Sequence, residues 1–216
     1  MIIKNKPLPR IILLPLLRLM FWVLKKFYKK IKLYDVPINP NSSYLLMCNH
    51  IGFLDGFWAL YISYYGINSK QKVNNYYILI LKKQLQKNSL LRYFGCFSIV
   101  PHSKTSIESI NYAAEILSKP GNVLIIFPQG NIESQYVRHI EFKDGLSKII
   151  PQVNGNCQLI WSSNLTEYFE SLKPTLFCHM LDCGTNQHFN FNELKSNVNQ
   201  HHKNAIQKQI RFTIEP

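Results

Sequence analysis

Acidic residues are scarce in this 216-residue chain: 12 Asp or Glu stand against 25 Lys or Arg, leaving a formal net charge of +13. That excess asks for an anionic partner, and nucleic acid, a membrane surface and acidic metabolites all qualify. The chain has no run of 18 or more uninterrupted apolar residues, which disfavours a conventional membrane-spanning helix. Paired cysteines are missing as well. Cys48, Cys96, Cys157, Cys178 and Cys183 are odd in number and irregular in spacing, which argues against a disulfide framework and fits reduced thiols in a cytoplasmic setting. No internal repeat is present. What the chain does have is apolar mass, 46% hydrophobic and 13% aromatic, so global disorder is excluded. Its length suits one compact domain, with or without an appendage.

The positive charge is unevenly placed. Residues 1–34 hold nine basic side chains (Lys4, Lys6, Arg10, Arg18, Lys25, Lys26, Lys29, Lys30 and Lys32) and no acid. Residues 35–107 set seven basic side chains against Asp35 and Asp55, and residues 108–216 set nine basic against ten acidic. The excess therefore belongs to the first half, as a local device. Within it, the apolar stretch 11–24 is interrupted by Pro15 and Arg18 and followed by a lysine cluster. As a helix its 14 residues would reach only ~21 Å at ~1.5 Å per residue, short of a ~30 Å hydrocarbon layer. Lysines stand where a secretory signal needs small residues, so a cleaved leader is a poor fit. Two readings stay open: an interfacial helix with its lysines at anionic headgroups, or an amphipathic helix packed on the domain with its lysines solvated. Trp22, Phe27 and Tyr28, interleaved with lysines, favour the membrane. A nucleic-acid-binding module would spread charge and aromatics over a binding face instead.

Beyond Pro40, apolar runs alternate with helical patterns. Strands are expected at 44–48, 76–81, 97–100, 123–127, 158–161 and 175–181. Helices are expected at 54–65, 82–93 and 142–150, and before Pro120 and Gly121, where Thr105 and Glu108 form a capping-box pattern and Ile107, Ile110, Ala114 and Leu117 recur at helical spacing. Strands alternating with helices predict an α/β domain with a mostly parallel central sheet flanked by helices, preceded by the N-terminal amphipathic docking segment. Residues 183–209 read as a polar tail with one helix.

Functional groups in such sheets gather at the carboxyl ends of strands. Here the run YLLMC leads into NHIGFLD (49–55), and VLIIF leads into PQGNIES (128–134). With His50 in a strand-to-helix turn and Asp55 in the first helical turn, the carboxylate reaches back to the imidazole and makes an oriented general base. The plainer reading is a structural histidine and a helix-capping aspartate. A zinc site from Cys48, His50, Cys178, His179, Cys183 and His188 lacks tight paired spacing, so no metal is expected. Ser134 and His139 lack a nucleophile elbow around the serine.

Taken together, 49–55, 95–101 and 127–134 resemble, in order and spacing, the three blocks of the glycerolipid acyltransferase family: Asn-His-x4-Asp, a Gly-x-x-Phe-Ile-type block, and Phe-Pro-Glu-Gly-Thr-Arg-Ser. Weaker echoes follow at 142–145 and 173–177. The resemblance spans roughly 40–182. It implies a membrane-associated, metal- and cofactor-independent O-acyltransferase, with a basic segment over 1–36 and an acyltransferase domain over 37–216. His50 would deprotonate a hydroxyl that attacks an acyl-CoA or acyl-carrier-protein thioester, Asp55 would hold the imidazolium, and backbone N–H groups near Gly130 would take the oxyanion. Asn49, Phe127, Pro128, Gln129, Gly130, Asn131 and Arg138 would line the substrate. The expected partners are a membrane lipid acceptor, an acyl thioester and an anionic membrane surface, not nucleic acid, at the cytoplasmic face of the inner membrane.

Several positions depart from the family pattern. Its Glu is Gln129 here, its Thr is Asn131, its Arg is Ile132, and the arginine closing the second block falls at Pro101. Those arginines are associated with the acceptor phosphate, a task for a planar bidentate donor. Their loss implies an acceptor other than simple lysophosphatidate, or a lysophosphatidate acyltransferase whose phosphate is held by other cations such as Lys104, Arg92 or Arg138.

Overall fold

The computed structural model describes residues 1–101 and 103–209. Among these described residues seven strands form one sheet: β1 (Lys30–Tyr34), β2 (Ser43–Cys48), β3 (Asn75–Leu81), β4 (Cys96–Ile99), β5 (Asn122–Ile126), β6 (Cys157–Glu167) and β7 (Thr175–Thr185), in the order β1-β7-β6-β2-β5-β3-β4. All neighbours are parallel except β6 and β7, which pair antiparallel with a register shift between Gln158 and Ile160. The sheet is therefore mostly parallel, as the alternation of strands and helices predicts. The β2 and β5 strands run through its middle, and every residue of both is buried. That is why they read as continuous apolar runs rather than alternating ones.

Helices cover both faces. Tyr44, Leu46 and Cys48 of β2 face a core built with α1 (Arg10–Lys25) and α2 (Asp55–Ile62). Leu45 and Met47 face a second core with α4 (Ser106–Leu117), α5 (Gly145–Ile149) and α6 (Phe191–Gln207). The short α3 (Lys82–Lys87) follows β3 directly. Trp161 of β6 has no solvent exposure and anchors the second core. Leu13, Leu17 and Phe21 bury one stripe of α1 at four-residue spacing, while Ile11, Ile12, Leu19, Trp22 and Val23 are exposed on the same helix. No helix among the described residues is long and apolar enough to cross a membrane.

Several local expectations are corrected. The β1 strand lies inside the stretch read as basic docking segment; its alternating lysines suit an edge strand, where charge blocks further pairing. The helix expected over 82–93 breaks at Asn88 into a 3-10 turn, Ser89–Phe94. Gly95 then turns the chain into β4 with φ of 86°, where a Cβ would sit 1.9 Å from the Tyr76 carbonyl oxygen, so only glycine fits. The capping box at Thr105 is not made. Thr105 has helical φ and ψ, and its hydroxyl pairs with Ser103 Oγ at 2.8 Å instead of capping α4. The helix expected from 142 starts at Gly145.

Candidate active site

Because β2 and β5 pair in parallel, with Met47 opposite Ile126, the chains leaving their carboxyl ends emerge side by side. One carries His50 and the other carries Phe127 to Ser134. The first chain is fixed by Asn49. This residue is 1% exposed; its Nδ2 donates to the Asn164 carbonyl at 2.9 Å, and its Oδ1 accepts from the Asn164 N–H at 2.6 Å. The side-chain amide thus extends the β2–β6 ladder past Cys48 and sets where the next residue begins.

His50 follows. Its Nδ1 lies 2.8 Å from Asp55 Oδ2, and the same oxygen accepts the N–H groups of Ile51 at 2.5 Å and Gly52 at 2.8 Å. Asp55 stands in the first turn of α2 and is buried, so one carboxylate oxygen organises the whole turn. Facing that carboxylate, Nδ1 carries the ring hydrogen, and Nε2 is left as the basic nitrogen. Among the described residues Nε2 has no hydrogen-bond partner. The imidazole stacks on Phe127, with ring centroids 4.6 Å apart, which holds its plane.

The two loops are cross-linked through main-chain and side-chain amides. The His50 N–H donates to Gln129 Oε1 at 2.7 Å, and Glu133 N–H donates to the His50 carbonyl at 2.8 Å. Gln129 Nε2 in turn donates to Glu133 Oε2. Buried Gln129 is therefore a two-sided bridge, and the carboxylate that the family pattern places at 129 stands instead at 133. Gly130 turns the loop with φ of 73°, and its N–H is taken by the Phe127 carbonyl at 3.1 Å. Pro128 accepts from Lys143 N–H at 2.9 Å. Asn131 and Ile132 are exposed on the rim.

Further along, α6 grips the same loop. Asn199 accepts from Ile140 N–H at 2.6 Å and donates to its carbonyl at 3.2 Å, while His202 Nε2 lies 3.0 Å from the Val137 carbonyl. His202 Nδ1 pairs with Ser163 Oγ at 3.0 Å, and burial holds this imidazole below its ordinary pKa. Exposed Arg138 stands between these anchors. Lys104 and Pro101 lie past the carboxyl end of β4, on the His50 edge of the sheet. Arg92 does not: it precedes β4, at the opposite edge, where its Nε donates to the Lys4 carbonyl at 3.0 Å. The roles of Asn164, Glu133, Asn199 and His202 escaped the sequence reading; the polar run Ser162, Ser163, Asn164 inside an otherwise apolar strand was the available signal.

No group of three or more His, Cys, Asp or Glu is arranged to hold a metal ion among the described residues. Cys48 is buried and its thiol is pushed well up by that burial, while Cys178 and His179, adjacent on β7, point to opposite faces of the sheet.

The site is thus a His–Asp pair at the carboxyl edge of a mostly parallel sheet, with a glycine-bearing loop beside it. The chain belongs to the acyltransferase family, whose sequence model matches residues 29–160, more than half its length. Among solved structures, it is similar to the 1-acyl-sn-glycerophosphate (LPA) acyltransferase PlsC from Thermotoga maritima, with a TM-score of 0.51 and 16% identity over 88% of this chain and 75% of that one. That likeness concerns the fold. A comparison with curated proteins finds no match.

Proposed function

We propose that this acyltransferase moves a fatty acyl group from acyl-CoA or acyl-carrier protein to a hydroxyl of a lipid acceptor at a membrane surface. The observation that carries this reading is the His50–Asp55 pair, 2.8 Å apart, with the second ring nitrogen uncommitted among the described residues. His50 Nε2 takes the proton as the acceptor oxygen attacks the thioester carbonyl, and Asp55 holds the tautomer and stabilises the imidazolium. Backbone N–H groups after Gly130 receive the oxyanion, since Gly130's own N–H is occupied. Collapse of the intermediate expels the thiolate, which recovers the proton from His50. Asn49, wholly engaged by Asn164, acts by positioning His50, and Phe127, Pro128 and Gln129 shape the wall.

Membrane association is supported by where apolar side chains are exposed. The loops after β2, β5 and β6 carry Phe53 (83% exposed), Ile132, Tyr136, Tyr168 and Leu172 (100% exposed), all on the His50 edge. The exposed stripe of α1, with Lys25, Lys26 and Lys29 beyond it, provides the insertion and headgroup contacts of an interfacial helix.

The acceptor region favours a hydroxyl lipid without a phosphate monoester. Ile132 and Pro101 offer no cation, and the Gln129 bridge holds the Glu133 carboxylate beside the His50 main chain. A dianionic headgroup would be repelled there. The competing acceptor is lysophosphatidate gripped by Lys104 or Arg138. Supplying labelled acyl-CoA and acyl-carrier protein with lysophosphatidate, monoacylglycerol and a lysoglycolipid separates the two. Faster transfer to the phosphate-free hydroxyls is expected; a clear preference for lysophosphatidate would assign it as the acceptor.

A further inference from the structure

We infer that a groove on α1, at the opposite end of the sheet from His50, binds the phosphate group of an anionic glycerophospholipid. This rests on the membrane reading above. The groove, about 570 Å³, is lined by Arg10, Ile11, Leu14, Pro15, Arg18 and Lys72. Three cations converge there and no acid does.

Both guanidiniums are steered by neutral groups. Arg10 Nη2 donates to Asn68 Oδ1 at 3.3 Å, and Arg18 Nε donates to Tyr64 Oη at 2.6 Å. No ion pair among the described residues takes Arg10, Arg18 or Lys72. Each arginine therefore keeps most of its donor fork for a ligand, in the geometry that suits phosphate oxygens. Among the described residues the buried Tyr76 hydroxyl has no hydrogen-bond partner, and the Arg10 charge acts on it, though Tyr76 does not itself line the groove.

The neighbouring surface points to a lipid as the source of the phosphate. Ile11 is 82% exposed, and Ile12 and Pro15 are also exposed, so acyl chains leaving the headgroup meet apolar surface rather than water. The site is separate from the chemistry. Tyr76 is level with Tyr44 across β5, and Tyr44 precedes Cys48 by four residues, or ~13 Å of strand. The groove thus anchors one end of α1 while the other end approaches the catalytic edge.

Flotation of the full-length protein tests this with phosphatidylcholine vesicles carrying either phosphatidylglycerol or a sulfolipid at equal charge. Wild type is expected to prefer the phosphate lipid about tenfold, and the triple variant Arg10→Gln, Arg18→Gln, Lys72→Gln to lose that preference. A control triple, Lys25→Gln, Lys26→Gln, Lys29→Gln, weakens both vesicle types and keeps the preference. A groove variant that still prefers phosphatidylglycerol overturns the site. If wild type floats with neither vesicle, the membrane reading fails, and calorimetry with monomeric dihexanoylphosphatidylglycerol decides the site separately. Binding that the groove variant loses sustains it, and no binding overturns it. Inorganic phosphate bound as tightly as the short lipid would overturn the lipid assignment in favour of a free anion.

Discussion

Asp55 Oδ2 meets three nitrogens within 2.8 Å, one from the imidazole and two from the main chain. Orientation of His50 and shape of its turn thus depend on one buried atom. The pair was legible in the sequence because a strand-to-helix turn places residues 50 and 55 within reach. The bridging role of Gln129 was not, since the sequence marks it only as a departure from the family pattern that would line the substrate. It joins the His50 N–H to the Glu133 carboxylate, a role that only distant contacts define. Restoring the family's residue should therefore harm this chain. Gln129→Glu removes a donor and sets two buried or half-buried carboxylates together, and is expected to destabilise the fold by about 1–3 kcal/mol in urea titrations. Adding Glu133→Gln returns an amide to the pair and should recover much of the loss. A double variant no more stable than Gln129→Glu alone would remove the bridge from the account.

The C-terminal helix shows how a buried stripe can be hidden by composition. Residues 183–209 read as a polar tail with one helix; within that helix, α6, Leu194, Val198 and Ala205 are buried at roughly one-turn multiples, with His202 filling the remaining inward position. Asn190 caps the helix through the N–H groups of Asn192 and Glu193. The apolar stripe is real but outnumbered by Asn, Gln and His. The β1 strand was hidden in the same way, by lysines proper to an edge. Packing these histidines inside has a pH consequence. Burial, with Lys208 and His201 nearby, lowers His179 from 6.5 to about 4, and His201 and His202 are lowered as well. Above pH 6.5 both folded and unfolded chains leave His179 neutral, so it contributes no pH dependence there. As pH falls from 6.5 toward 4, the unfolded chain binds a proton that the folded chain excludes, and stability drops. The urea midpoint should be lower at pH 5 than at pH 7; an equal or higher midpoint at pH 5 would contradict this packing.

At the scale of the whole molecule, the parallel sheet does two things. It brings the loops after β2 and β5 together at its carboxyl edge, and it gives α1 a face to lie on with half of its apolar side chains still outside. The α/β class and most strand positions were legible because the buried strands are continuous apolar runs. The antiparallel β6–β7 pair was not, because strand direction is set by the connection and not by composition. Net charge acquires a location in this arrangement: cations line the α1 side, while the His50 edge mixes Asp55 and Glu133 with Lys104 and Arg138. In the proposed reaction His50, held by Asp55, is the base for acyl transfer. The most direct measurement is the steady-state rate of transfer from an acyl thioester to the acceptor by His50→Ala, with folding and vesicle binding checked in parallel. A loss of at least about 100-fold in kcat is expected, with fold and membrane binding retained. Near-normal turnover by a folded His50→Ala protein would contradict it.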